Sequence, residues 1–134
     1  MAAKGLIVFQ SGYGPEETMN RFEDGVRARG MTIFAHIDHA ASAASAGLVL
    51  DPSDLLIFGN AQDTTALMQK AQTIGIDLPL KALVWQDPSG VTWLSYDDLA
   101  WVAERHGLDP EADATLNDLS ALLAALARAA TRAT

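Results

Sequence analysis

The chain has 134 residues, of which 49% are hydrophobic and 19% charged, and its formal net charge is −8. This length and composition are typical of one globular domain. The negative charge argues against binding to nucleic acid or to anionic membranes, and the lack of cysteine excludes disulfides, thiolate nucleophiles and cysteine-ligated metals.

The first elements in chain order are a short strand and a helix. The continuous apolar run over 6–9 predicts a strand, and Pro15 opens a helix that ends at Gly30. Apolar residues recur in this helix at spacings of three and four, which predicts an inward-facing stripe. The residues of this stripe are Met19, Phe22 and Val26.

Alternation over 31–38 predicts a second strand, followed by a short helix over 40–46 that ends at Gly47. On a regular strand, alternate side chains point to opposite faces of the sheet. The expected faces are Ile33, Ala35 and Ile37 on one side, and Thr32, Phe34, His36 and Asp38 on the other.

A third strand is expected over 54–58, and a helix over 65–74 that ends at Gly75. Either Asp63 or Thr64 would cap the start of this helix, because short polar side chains accept hydrogen bonds from free backbone N–H groups there.

The segments 80–86 and 91–96 predict an antiparallel hairpin, because Asp-Pro-Ser-Gly at 87–90 suits a type I turn. Either Asp97 or Asp98 then caps a helix that runs through His106. We expect one domain over residues 1–134, with a core over about 5–107 and a C-terminal helix over about 115–131.

The element order β-α-β-(α)-β-α-β-β-α-α predicts an α+β fold, a two-layer sandwich with helices on a mixed sheet of about five strands. The runs 6–9, 55–58 and 83–85 are apolar on both faces of their strands. The face away from the helices therefore needs a cover, which could be remaining helices, a second subunit or a ligand. We expect a homodimer.

The last helix offers a second surface for dimerisation. Four leucines follow the spacing of a heptad seam, and packing against their own domain would explain them equally well. These leucines are Leu116, Leu119, Leu123 and Leu126.

The densest group of polar candidates is His36, Asp38 and His39. His36 and Asp38 would share a face and could transfer a proton or bind a divalent ion, with His106 as a fourth ligand. A structural Asp–His pair at the end of a strand is the alternative. Asp38 and His39 are the candidate catalytic residues.

A glycine-rich segment and a lysine within a strand give weaker indications of function. Gly12-Tyr13-Gly14 lacks the spacing of a phosphate-binding loop, so we expect no cofactor. Lys81 could pair with Asp77, or could bind an anion in a pocket with Trp85 and Asn60.

At these residues the chain resembles domain of unknown function (DUF) family 302. The matching segments are Ile37-Asp38-His39-Ala40, Leu55-Leu-Ile-Phe-Gly-Asn60, Asp77-Leu-Pro-Leu-Lys-Ala-Leu-Val-Trp85, Tyr96-Asp-Asp and Leu99-Ala-Trp-Val-Ala-Glu-Arg-His106. The resemblance implies a compact two-layer domain, usually dimeric, without an assigned activity. Its recurring polar positions fall here on Asp38, His39, Asn60, Lys81, Tyr96 and His106.

The leading hypothesis is a non-enzymatic cytoplasmic homodimer that binds a small, partly apolar molecule beside the sheet. A hydrolase or isomerase that uses Asp38 and His39 is one alternative, and a metal-binding protein is the other. The candidate ligand-binding residues are Asp38, His39, Asn60, Lys81, Trp85, Tyr96 and His106.

Overall fold

The computed structural model describes residues 3–133. The strands are β1 (Leu6–Gln10), β2 (Thr32–Asp38), β3 (Ser53–Gly59), β4 (Leu80–Gln86) and β5 (Thr92–Asp97). The helices are α1 (Pro15–Ala28), α2 (His39–Ser45), α3 (Ala61–Lys70), α4 (Leu99–Arg105) and α5 (Ala114–Thr131), with a 3-10 helix at Gln72–Ile76.

The five strands form one sheet in the order β1-β5-β4-β3-β2, and every neighbouring pair is antiparallel. The α+β sandwich with five strands is therefore confirmed, although the sheet is not mixed as predicted. The reason is that α1 carries the chain from one edge strand to the other. Strands β1 and β2 are thus never neighbours, and β2 to β5 follow one another as a meander.

The hydrophobic core lies between the sheet and helices α1, α3, α4 and α5. Phe22 of α1 and Phe58 of β3 meet edge to face, with ring centroids 5.3 Å apart, and both are fully buried. Burying such a side chain stabilises the fold by roughly 1.5–3 kcal/mol. The apolar stripe predicted for α1 is buried as expected.

The leucine stripe of α5 packs against its own domain. All four leucines are buried, and α5 lies against α1, α3, α4 and β1. The interpretation as packing within the domain is thus confirmed, and no exposed leucine seam remains on this helix among the described residues.

Helix α3 begins four residues earlier than predicted. Its N-cap is Asn60, whose Oδ1 accepts the N–H of Asp63 at 2.8 Å while its Nδ2 donates to the Asp63 carboxylate at 2.8 Å. The expected cap at Asp63 or Thr64 is therefore wrong. The helix ends at Lys70 because Ala71 is extended, and the 3-10 helix follows it.

Strand β2 contains a bulge that the alternation of its sequence does not reveal. Ile33 lies opposite Phe58 and Ala35 lies opposite Ile57, so Phe34 is an extra residue in the pairing. A bulge reverses the faces of the residues that follow it. Ile33 therefore shares the helix side with His36, whereas the sequence placed them on opposite faces.

Candidate functional site

The sheet face away from the core helices is lined by apolar side chains, and we call it the open face. Cross-strand partners point to the same side of a sheet, so the pairing defines it. One row crosses all five strands: Val8, Ser95, Leu83, Leu55 and Ile37. The open face also holds Leu6, Ala35, Ile57, Lys81, Trp85, Trp93 and Asp97.

Side chains on the open face are less buried than those on the other face. The buried helical residues belong to α1, α3, α4, α5 and the 3-10 helix, whereas α2 buries none within the described chain. Leu55, Leu83 and Trp85 are only half-buried, while the intervening Leu56 and Val84 are fully buried on the helix side. The expectation that these strands are apolar on both faces is confirmed.

Trp85 and Trp93 lie at one end of the open face, and polar side chains accept their indole N–H groups. The rings of Trp85 and Trp93 stack with centroids 6.1 Å apart and planes 25° apart. Trp85 Nε1 donates to Ser95 Oγ at 2.9 Å, and Trp93 Nε1 donates to Asp87 Oδ2 at 2.8 Å. Their N–H groups are thus satisfied within the hairpin, and the ring faces remain available for apolar contact.

Asp87 organises the turn between β4 and β5. Hydrogen bonds from the Trp93 indole, then from the Ser89 side chain and the Val91 N–H, lower the pKa of Asp87 from 3.8 to about 2. Gly90 adopts a φ of +87°, which favours glycine. The predicted hairpin is confirmed, with its turn held by this carboxylate.

An apolar cavity of about 300 Å³ lies at this end of the open face. Its lining includes Leu50, Pro52, Leu83, Trp85 and Pro88. The adjacent segment 48–50 is strongly exposed: Leu48 is 65%, Val49 99% and Leu50 50% accessible. The three residues extend the accessible apolar surface next to this cavity.

On the helix side, a cavity of about 480 Å³ lies between α1 and the ends of β2 and β3. His36 lies here, with Nδ1 at 3.0 Å from Glu23 and Nε2 at 3.0 Å from Asp54. Both contacts are hydrogen bonds when each ring nitrogen carries a proton. Sequence reasoning missed Glu23 and Asp54 because both come from other elements.

Asp38 and His39 lie where β2 meets α2. The Asp38 carboxylate is the N-cap of α2 and accepts the N–H of Ala41 at 2.8 Å. His39 is the first residue of that helix and is half-buried. This capping role supports the alternative that Asp38 and His39 are structural residues. It also occupies the carboxylate that would transfer a proton if the two residues were catalytic.

The structure separates the predicted ligand-binding residues into two groups. Asp38, His39 and Trp85 lie at one end of the sheet, because Asp38 faces Asp54 and Trp85 faces Ser53. Lys81 is four residues from Trp85 along β4, about 13 Å away. Lys81 and Trp85 point to the same face of the sheet, and a pocket that holds them with Asn60 stays a prediction.

The second group lies at the opposite end. Asn60 caps α3, and Lys81 Nζ donates to the backbone oxygen of Asp77 at 3.1 Å rather than to its carboxylate. Tyr96 faces the helix side, where it stacks on Phe9, and burial raises the pKa of its hydroxyl.

His106 bridges two residues of the 3-10 helix region. Its Nε2 lies 2.5 Å from Asp77 Oδ2, and its Nδ1 lies 2.8 Å from Thr73 Oγ1. The His106 side chain is buried. Arg105 Nη1 adds hydrogen bonds of 3.0 and 3.1 Å to the same carboxylate. The sequence singled out His106 and gave no local sign of Thr73, which lies 33 residues away.

Metal binding gains no support from this arrangement. Within residues 3–133, no three histidine or carboxylate side chains are grouped so that they could hold an ion. His36 faces Glu23 and Asp54, whereas His106 faces Asp77. His36 and Asp38 share a face and line the same cavity, as predicted. His106 contacts Asp77 instead, so the four proposed ligands are not grouped.

Comparison with known proteins identifies relatives of the whole fold. The family model described as "Domain of unknown function DUF302" matches residues 7–126. The crystal structure of uncharacterized conserved protein DUF302 from Bacillus stearothermophilus superposes with a TM-score of 0.83 and 21% identity, covering 97% of this chain and 100% of that one. That likeness extends to the fold alone.

Proteins that are similar to this chain in sequence have been named as ion channels. Proteins named fluoride-specific ion channel FluC 1 from Brucella suis and Brucella abortus are 45% identical over 112 residues, which is 84% of this chain. The chain spans less than half of those proteins, 44% and 42% respectively. Across residues 3–133, none of the helices is long and apolar enough to cross a membrane.

Proposed function

The chain belongs to the DUF302 family, and from that premise we propose that it is a cytoplasmic homodimeric domain that binds a small, partly apolar molecule at the open face. The observation that carries the proposal is the row from Val8 to Ile37, which crosses the whole sheet and whose apolar side chains all remain partly accessible. Leaving such a surface in water costs free energy that a second copy or a ligand would recover.

The size of the open face determines which other residues a dimer would have to bury. A sheet of five strands is about 24 Å wide, and strands about 20 Å long give a flat footprint of roughly 480 Å². Stable interfaces bury about 800 Å² per partner. The flat footprint is smaller than this area, so the exposed segment 48–50 would have to join the interface, and a two-fold axis would pair the combined surface with itself.

The distribution of charge supports a second copy at the open face. Each copy carries a net charge of −8, so two copies repel each other unless they meet on weakly charged surfaces. Among the strand residues of the open face, Lys81 and Asp97 are the ionisable ones described, and they have opposite signs. This face is therefore where two acidic copies can approach most closely.

The cavity beside Trp85 supports the small-molecule part of the proposal. Its volume of about 300 Å³ is at the lower end of the range for ligand pockets, about 300–1,000 Å³. Leucine and proline side chains and an indole face suit an apolar ligand, and a partner copy would close the cavity against water.

A thermal-shift screen tests ligand binding directly. Dialysed protein is melted with a panel of hydrophobic metabolites, and we expect at least one to raise the Tm of the wild type. Trp85→Ala should lose that shift. Trp101→Ala, which removes a partly exposed indole of α4, should keep it. If no compound raises the Tm of the wild type, ligand binding at the open face is wrong.

A second candidate function follows from the curated relatives. Because proteins named fluoride-specific ion channels contain a stretch 45% identical to this chain, the domain could serve as an accessory to such a channel. The test is to delete the matching stretch from the Brucella suis relative and measure fluoride efflux. A changed efflux rate supports an accessory role, and an unchanged rate rejects it.

A further inference from the structure

The cluster of Asp77, His106 and Thr73 has no part in the proposed function, and Lys81 is the open-face residue that contacts it, through the Asp77 backbone oxygen. It joins a carboxylate, an imidazole and a hydroxyl in one hydrogen-bonded line, at 2.5 and 2.8 Å. The two contacts use opposite nitrogens of the same ring. We propose that Thr73 is a nucleophile activated by His106, and that this site accepts acyl groups from esters.

The hydrogen bonds determine where the protons lie. An ionised carboxylate only accepts, so the His106 Nε2 carries the proton that faces Asp77. In the neutral ring Nδ1 is then unprotonated and accepts the hydroxyl proton of Thr73. This is the arrangement of a general base beside a nucleophile, with a third group that orients the base.

Asp77 and His106 are both held in place by the fold. The Asp77 carboxylate also binds Arg105 at 3.0 Å, its backbone oxygen accepts Lys81 Nζ at 3.1 Å, and its N–H donates to Ile74 at 2.9 Å. His106 is the C-cap of α4, and its side chain is only 6% exposed. Asp77 is therefore a positioning residue that fixes the orientation of a buried ring.

Thr73 is accessible to a substrate, unlike the other two residues. It lies in the 3-10 helix and is exposed. An exposed hydroxyl against a buried base is the layout needed for attack on a molecule that arrives from solvent.

The proposed reaction is ester hydrolysis, and it consumes only the ester and water. Thr73 Oγ1 attacks the ester carbonyl carbon and forms a C–O bond, while its proton moves to His106 Nδ1. The C–O bond to the leaving alkoxide breaks, and the imidazolium returns the proton to that alkoxide. Water then attacks the acyl-threonine through the same base, which releases the carboxylic acid and restores the hydroxyl.

The test uses p-nitrophenyl acetate as the ester, with p-nitrophenol release and peptide mass spectrometry as readouts. We expect a burst of p-nitrophenol and an acetyl group on Thr73. Thr73→Val should abolish the burst, and His106→Gln should slow it about a hundredfold and remove the step in its pH profile. Thr32→Val, which alters an exposed threonine of β2, should behave as the wild type.

The role of Asp77 is tested by the pH profile, which a purely structural role would leave in place. Asp77→Asn should slow acetylation and move the pH at which the rate rises, and Asp77→Glu should restore part of the rate. Acetylation elsewhere than Thr73, or an unchanged burst in Thr73→Val, would overturn the proposal. If Thr73→Val fails to fold, the site of acetylation in the wild-type protein, found by peptide mass spectrometry, tests the proposal.

The subunit number of the protein is a separate measurement, which tests the open-face dimer and not the esterase.

Discussion

Trp85 and Ser95 are joined across β4 and β5 by a hydrogen bond of 2.9 Å from the indole Nε1 to the serine Oγ. Ser95 is 1% exposed and lies in the middle of the apolar row of the open face. The bond pairs the two polar groups with each other, so this part of the face presents carbon atoms to a neighbouring molecule. A surface of that kind gains free energy when it is covered.

The first prediction concerns the dimer. Leu55→Glu places a charge at the centre of the open face, opposite Leu83 and Ile37. In a dimer this carboxylate would be desolvated without a partner, at a cost of several kcal/mol. We expect light scattering after gel filtration to report one chain for the variant and two for the wild type.

A matched control separates this effect from added negative charge. Ile76→Glu alters an isoleucine that is 75% exposed in the 3-10 helix, outside the open face. It should remain dimeric, with a far-ultraviolet circular dichroism spectrum like that of the wild type. Dissociation of both variants would show that general charge repulsion, and not the open face, governs association.

The second prediction concerns acid stability. The hydrogen bond from Trp93 is the main reason that the pKa of Asp87 falls from 3.8 to about 2. Because the folded state favours the ionised form, this carboxylate stabilises the fold above its unfolded pKa, and the contribution is lost as pH falls through about 2. The Tm difference between the wild type and Asp87→Asn should therefore shrink over that range.

The variant Trp93→Phe tests the cause of this shift. It keeps an aromatic ring beside Trp85 and removes the indole donor to Asp87. The pKa of Asp87, followed by carboxyl NMR titration, should then rise toward 3.8. An unchanged pKa would mean that Ser89 and Val91 suffice to hold the ionised form.

The third prediction concerns the start of α5. Asp113 is buried, its Oδ1 caps Leu116 N–H at 3.1 Å, and its Oδ2 accepts Lys70 Nζ at 2.6 Å. The hydrogen bond from Lys70 holds the pKa of Asp113 below its ordinary value. Asp113→Ala should lower the free energy of unfolding by about 1–2 kcal/mol through the lost cap, measured by urea denaturation.

Two comparison variants show whether the helix cap or the ion pair with Lys70 contributes more to the free energy of unfolding. Asp113→Asn retains an oxygen that can cap the helix, and should lose less stability than Asp113→Ala. Lys70→Met removes a half-exposed partner and leaves the buried carboxylate with its backbone hydrogen bonds alone, so it should also lower the free energy of unfolding. A larger loss in Lys70→Met than in Asp113→Ala would place the stabilisation in the ion pair.

The fold was largely predictable because its strongest signals are local. The range 80–86 of β4 and the start of α1 at Pro15 agree with the structure, since continuous apolar runs and a proline at the first turn are unambiguous. The start of α3 was not found, because Asn60 at the end of a strand was interpreted as a ligand group and not as a cap.

The candidate sites were predictable only in part, because they depend on contacts between distant segments. The bulge at Phe34 reverses the face of His36, and nothing in the alternating sequence indicates an extra residue. His106 meets Asp77 and Thr73 across separations of 29 and 33 residues. Such pairings are set by the packing of α4 against the rest of the fold, which residue patterns do not encode.

The subunit number of the untagged wild-type protein is the most direct test of the interface at the open face. Native mass spectrometry over a range of protein concentrations should give twice the mass of one chain, with any retained small molecule as an added mass. A single bare chain at every concentration, with Leu55 and Leu83 facing water, would contradict the account.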